Sequence, residues 1–129
     1  MESFDLYDAQ RRPTGETMLR GTPTPTGSYR LVVHISIFNS KGEMLIQQRQ
    51  PFKDDWCDMW DLSVGGSVTS GETSQTGAER ELAEELGVIA VLQDTVPSVT
   101  SASKAASMTI HSISRYRVLI RRSLSLSAV

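Results

Sequence analysis

Four glutamates, Glu79, Glu81, Glu84 and Glu85, crowd into seven residues of a 129-residue chain, preceded by Glu72 and by the paired glycines Gly65 and Gly66. At roughly 100° per helical residue, Glu81, Glu84 and Glu85 fall within an arc of about 100°, and Ala78, Leu82 and Leu86 occupy the adjoining arc. Such a helix has one carboxylate face and one core face. Acids on helix surfaces usually alternate with Lys or Arg and form solubilising pairs. Here Arg80 is the single cation of the stretch, so like charges share a face and repel. A hard divalent cation would compensate them, because Mg²⁺ takes oxygen ligands and keeps waters that substrate phosphates can displace. The alternative for the three glutamates alone is a solvated acidic face.

The flanking residues favour chemistry. From Gly66 the chain reads Gly, five residues, Glu72, seven residues, then Arg80-Glu81-Leu82-x-Glu84-Glu85-x-Gly87-Val88. This row resembles the full signature of the Nudix hydrolases, GX5EX7REUXEEXGU with U aliphatic. The resemblance implies a loop–helix–loop unit whose glutamates bind Mg²⁺ or Mn²⁺ around a diphosphate. It makes Glu81, Glu84 and Glu85 metal ligands, with the Gly66 carbonyl available to the metal, because a residue without Cβ lets the backbone approach closely. Arg80 is expected to point away from the acidic face and pair with Glu72, holding the loop against the helix. The implied catalytic set is therefore Glu72, Arg80, Glu81, Glu84 and Glu85. The implied reaction is attack of a metal-polarised water on a phosphorus of a nucleoside diphosphate linked to another group. A general base is needed as well, and in many relatives it is a glutamate in a later loop. This chain has no Asp or Glu after Asp94. Gly87 is expected to cap the helix in the left-handed conformation, and Gly77, in mid-helix, is read as tolerated with no functional role.

The elements that must position these residues follow from local patterns. Residues 30–38, RLVVHISIF, read as a core strand, followed by a turn at Asn39–Gly42 and a second strand in EMLIQQR. DMWDLSVGG carries a short strand into the signature, the helix runs from about Ser74 to Leu86, and VIAVL starts another strand. Upstream, Phe4–Tyr7 and Glu16–Arg20 can pair as a hairpin across Arg12–Gly15. The alternation predicts an α/β class, consistent with the Nudix-like mixed β-sheet packed by helices and apparently incomplete at the C-terminus. The expected organisation is an N-terminal hairpin-like extension over 1–28, a core over 29–94 with the signature at 66–88, and an atypical tail over 95–129.

YDAQRRPTG and QQRQPFKDDWCDMWDLSVGG resemble the Nudix branch similar to isopentenyl diphosphate isomerase. That branch implies that Arg49 and Lys53 face the substrate diphosphate; their alternative is a solvated strand end. The isomerase needs a catalytic cysteine and a histidine-bearing metal site just before the signature, where this chain has Leu62-Ser63-Val64. Cys57 lies earlier, and His34 falls inside a strand, where packing is its expected role. The reading is a metal-dependent hydrolase on an isomerase-like scaffold. The alternatives are a ligand-binding domain without turnover, an inactive truncated product and, last, the isomerase itself.

Composition bounds the rest. With 39% hydrophobic residues the length suits one modest core. A net charge of -2 argues against nucleic-acid binding, and one cysteine excludes an internal disulfide. The amino terminus is too acidic and polar for a signal peptide, and no apolar run approaches the ~18 residues of a membrane span. The expected setting is cytoplasmic, with a small-molecule diphosphate as partner; oligomeric state is not legible.

The tail departs from all this. Residues 1–94 hold 15 acidic and 8 basic side chains, whereas residues 95–129 hold no acids and 5 bases, with nine serines between Ser98 and Ser127. Either the tail is divergent or disordered, or its reading frame is shifted. Re-reading the codons of SASKAASMTIHSIS by one base permits Leu-Ser-Phe-Glu-Gly-Gly-Phe-Asp-Asp-Tyr-Ser-Phe-His-Phe, which alternates like a strand and restores acidic residues.

Overall fold

A computed structural model describes residues 1–48, 51, 59–92, 95–97, 99–104 and 110–119, with only the backbone for 99, 101–104 and 110–119. The centre is β3 (Arg30–Phe38), whose alternation buries Val33, Ile35 and Ile37 on one face. It pairs antiparallel with β6 (Val64–Ser67) and parallel with β8 (Ile110–Leu119), and β7 (Val99–Lys104) adds antiparallel to β8. The sheet order is β6-β3-β8-β7, a mixed sheet as the α/β reading expects. Its two outer strands on the β8 side come from beyond position 94, so the sheet does not end where the composition changes.

The helix α1 (Ser74–Leu86) lies on this sheet through Ala78 and Leu82, which join Val33, Ile35, Ile37, Val64, Val68 and Leu92 in the main core. Each large aliphatic side chain buried here contributes ~1.5–3 kcal/mol relative to exposure. The helix starts at Thr73, whose hydroxyl accepts from Thr76 N–H while the Thr76 hydroxyl accepts from Thr73 N–H, a capping box with threonine in the third position. It stops at Gly87, left-handed at φ 65°, whose N–H donates to the Ala83 carbonyl at 3.0 Å.

The hairpin expected near the amino terminus is present as β1 (Ser3–Tyr7) and β2 (Pro13–Leu19), with Ser3 opposite Leu19. Its turn falls earlier than the sequence suggests, because Asp8 Oδ1 accepts from Gln10 and Arg12 N–H and closes the chain there. Phe4, Leu6 and Met18 form a second, small core. The hairpin docks on the main sheet through Tyr7 and Tyr29, which exchange backbone hydrogen bonds of 2.7 and 2.9 Å.

Two expected strands are altered. Among the described residues of EMLIQQR only Gln47–Gln48 (β4) pairs regularly, with Trp60–Asp61 (β5), and Met44 makes an isolated bridge to Phe38. VIAVL forms no strand: Val88 N–H closes the helix on Leu82 O, and the chain then runs back along α1. Glu79 Oε1 accepts from Leu92 N–H at 2.6 Å and Gln75 donates to Thr95 O at 3.2 Å. Leu92 is buried there while Ile89 and Val91 stay 85% and 79% exposed, so the helix flank has replaced a strand partner.

Candidate active site

The carboxylates gather where α1 passes over the end of β6, and Arg80 organises them. Its Nε donates to Glu72 Oε1 at 2.6 Å and its Nη2 to Glu72 Oε2 at 3.0 Å, a bidentate pair. The same Nη2 reaches the Ser67 carbonyl at 2.9 Å, so one guanidinium ties the β6 end, the Glu72 loop and the helix together. The expected Arg80–Glu72 pair is therefore present. The expectation that Arg80 points away from the acidic face is corrected: Nη1 donates to Glu81 Oε1 at 2.9 Å and to Glu84 Oε2 at 3.2 Å. Arg80 and Glu84 are four residues apart, so helical geometry itself sets them about 40° apart on one flank, at the border of the acidic arc.

Glycines make the room. A Cβ on Gly66 would collide with the Glu81 carboxylate, so the catalytic candidate lies directly on the bare backbone of β6. Gly77 is more than tolerated: a Cβ there would meet Val68 side-chain carbons at 3.0 and 3.3 Å and Glu72 Oε2 at 3.4 Å. Its lack of a side chain lets the loop carrying Glu72 lie down on the helix within reach of Arg80. Glu79, by contrast, belongs to the helix flank that holds Leu92 and takes no part in the cluster.

The site's electrostatics are uneven. The Glu81 side chain is 13% exposed and that of Glu84 60%. Burial pushes the Glu81 carboxyl above the usual carboxylate range, against the opposing pull of Arg80, and the nearby charges of Glu84 and Glu72 push the same way. Burial acts upward on Glu72 too, but the Arg80 and Thr69 hydrogen bonds outweigh it and hold that carboxyl below its ordinary value. The difference lies in the donors: Glu72 receives two N–H bonds from Arg80 and one from Thr69 N at 2.9 Å, whereas Glu81 receives one. Arg80 itself is held more firmly protonated, chiefly by its bonds to Glu72.

Among the described residues no three His, Cys, Asp or Glu side chains are gathered as a ready-made metal cage. The charge count still fits a divalent cation. Among the described residues three carboxylates, Glu72, Glu81 and Glu84, face one guanidinium, an excess of two negative charges. Glu85 lies on the same arc, and Gln47 Nε2 approaches its Oε2 at 3.5 Å. The donors are hard oxygens, the set Mg²⁺ and Mn²⁺ prefer. Arg49 and Lys53, expected at the substrate phosphates, lie outside the described residues, as does Cys57.

Ser63 occupies the place where the resemblance looked for a cysteine. It is buried, accepts from Ile37 N–H at 2.9 Å and donates to the Leu45 carbonyl, so its hydroxyl is committed to joining β3 to the strand-like segment before β4. His34, expected to pack within its strand, is half-buried on β3 opposite Gly65. Sequence reasoning did not find Gln47 beside Glu85, nor the hairpin contacts described below.

Residues 28–120 match the sequence profile of the NUDIX domain. A Nudix hydrolase of Listeria monocytogenes is 50% identical over 95 residues, 74% of this chain and 56% of that protein. An isopentenyl-diphosphate Delta-isomerase of Shigella flexneri is 34% identical over 87 residues, 67% of this chain and 48% of that protein. The crystal structure of DR0079 from Deinococcus radiodurans superposes with a TM-score of 0.63 at 27% identity, covering 90% of this chain and 72% of that one. The chain thus spans about half the length of the curated relatives it matches.

Proposed function

This chain belongs to the Nudix family, and from that premise we propose that it hydrolyses a diphosphate linkage in a small molecule of the type nucleoside diphosphate joined to another group, using Mg²⁺ or Mn²⁺. The observation that carries the reading is the Arg80 cluster, which holds Glu81 on the bare backbone of Gly66 and, among the described residues, sets three carboxylates against one guanidinium. Glu81, Glu84 and Glu85, with the Gly66 carbonyl, would hold the metal, which when bound neutralises charge on phosphoryl oxygens and acidifies water. Glu72 and Arg80 keep the loop on the helix. Arg80 holds the Glu81 and Glu84 carboxylates in the metal-free chain, and a cation on those oxygens would compete with its bonds. Arg49 and Lys53 are proposed to face the diphosphate. The setting proposed is cytoplasmic; no described helix is long and apolar enough to cross a membrane.

Hydrolysis is favoured over double-bond isomerisation because the hydroxyl of Ser63 is used by two backbone groups and offers no acid or base. Mn²⁺ titration followed by water-proton relaxation should give saturable binding. A panel of nucleotide sugars, dinucleotides, oxidised nucleotides and isopentenyl diphosphate should yield phosphate-containing products from at least one member. Migration of the double bond in isopentenyl diphosphate refutes the assignment, and tight ligand binding with no turnover replaces it with a sensing role.

The loss of every acid after position 94 favours a second reading, in which residues 95–129 derive from a shifted frame and the chain is an inactive product. Sequencing the encoding DNA decides it. Strong amide protection through Arg115–Leu119 in a cooperatively melting chain would instead make the tail native structure.

A further inference from the structure

The loop that carries Glu72 is held from both sides. On the helix side it is gripped by Arg80, which binds the Ser67 carbonyl at one end of the loop and Glu72 at the other. Within it, Glu72 N–H donates to Thr69 O at 3.1 Å and Thr69 N–H to Glu72 Oε2 at 2.9 Å, closing a tight turn over residues 69–72. The middle of that turn is held by the N-terminal hairpin. Gly71 N–H donates to Asp5 Oδ2 at 3.0 Å, and Ser70 N–H to the Ser3 carbonyl at 2.9 Å. The hairpin is itself fixed to the main sheet by Tyr7 and Tyr29 and by Arg30, whose guanidinium lies 4.7 Å from the Phe4 ring and donates to Ser67 Oγ at 2.9 Å.

We propose that Asp5 is a positioning residue for the active-site arginine: by holding Gly71 N–H it fixes the turn that presents Glu72 to Arg80, and through Arg80 it sets the place of Glu81. The hairpin is then a working part of the site. The bond is charge-assisted and aimed at a backbone donor in mid-turn. Without it the turn keeps its internal bonds but loses its side-chain anchor to the hairpin, and Glu72 moves with it. A displacement of an ångström at a catalytic carboxylate costs on the order of a hundredfold in rate.

The kinetic part of this inference rests on the hydrolase reading, whereas its structural part does not. In the metal-free chain, hydrogen exchange of Arg80 Nε–H is measured by NMR in wild type, Asp5→Ala and Asp5→Asn. Exchange should accelerate about tenfold or more in the alanine variant and return towards wild type in the asparagine variant, which keeps an amide oxygen to accept from Gly71. With a diphosphate that wild type hydrolyses, kcat should fall roughly tenfold to a hundredfold for alanine while KM changes less than about twofold. Should the alanine variant lose the Phe4–Met18 packing, the asparagine variant, with its hairpin intact, carries the test. Unchanged Arg80 exchange in a folded alanine variant overturns the proposal, as does an asparagine variant as impaired as alanine. A wild type that turns over no diphosphate removes the hydrolase reading and leaves the exchange result to decide on Asp5.

Discussion

The two ends of the carboxylate face are built on opposite plans. At one end Glu72, Arg80 and Glu81 are partly buried, cross-linked by short bonds and pressed against glycine backbone. At the other, Glu84 stands largely in solvent with one long bond to Arg80, and Glu85 has the Gln47 amide at the limit of hydrogen-bond range. Burial raises the carboxyl of Glu81. The difference teaches that one end is assembled by the chain itself, while the other leaves its oxygens room to adjust. Preorganisation belongs to the loop–helix junction at Glu72, Arg80 and Glu81, and adaptability to the later turn of the helix.

Replacing the exposed end should give the largest functional effect and the smallest structural one. Loss of an outer partner of a metal ligand typically costs 10–100-fold in affinity, so Glu84→Gln with Glu85→Gln should weaken Mn²⁺ binding by more than roughly 100-fold. Melting should stay the same or rise slightly, because like charges on a helix face repel by ~0.2–0.5 kcal/mol per pair. A double variant that binds Mn²⁺ like wild type would erase the distinction between the ends.

Replacing the assembled end should add a structural loss to the functional one. Arg80→Ala strands two partly buried carboxylates and should lower stability by about 2 kcal/mol in chemical denaturation, with activity lost as well. If Arg80→Ala melts like wild type, the cluster is not a structural cross-link.

A gentler perturbation is Gly66→Ala. The three atoms nearest the new methyl all belong to the flexible end of Glu81, so stability should stay within ~1 kcal/mol while Mn²⁺ affinity drops roughly tenfold as the carboxylate is displaced. Equal affinity would mean that Glu81 does not need its seat on β6.

The smallest effect is in acid titration of the metal-free chain. Glu81, raised above its ordinary value of 4.5, favours the folded state most when protonated, so its contribution is complete below 4.5 and fades as pH rises through its folded value. Glu72, lowered, contributes fully above 4.5 and loses that contribution as pH falls through its folded value. Descending from neutrality, Glu81→Gln should remove a gain that precedes 4.5, and Glu72→Gln a loss that follows it. Stability curves by urea at stepped pH check both, and identical curves for the two variants would contradict the assignment.

Much of this was legible in the sequence because it depended on local rules. The span of α1 follows from an apolar stripe ending at a glycine that can turn left-handed, and β3 from strict alternation of buried aliphatic residues. The spacing of the glutamates placed Glu81, Glu84 and Glu85 on one arc. What escaped was decided by long side chains and distant backbone. Arg80 is expected to face away from the acids, yet its i+4 neighbour is Glu84 and its guanidinium spans to three carboxylates, one of them on the loop before the helix. VIAVL carries a strand's residue types, but the fold offered it Glu79 and Gln75 of α1 in place of a neighbouring strand. Gly77 looked like a tolerated flaw because its value is a contact with Val68 and Glu72, invisible without the loop above it. Asp5, 66 positions from its partner Gly71, left no pattern to read.

The buried hydroxyl of Ser63 has a consequence for how this scaffold can be repurposed. It accepts from Ile37 N–H and donates to Leu45 O, serving as a rivet between two backbones that also pair directly through Leu45 N–H and Ile37 O at 2.8 Å. A thiol is a weak donor and acceptor, so Ser63→Cys leaves a buried amide poorly satisfied at a cost of ~1–3 kcal/mol. A thiol at this position therefore weakens the fold unless Ile37 N–H and Leu45 O find other partners, so the join between these two segments resists the exchange.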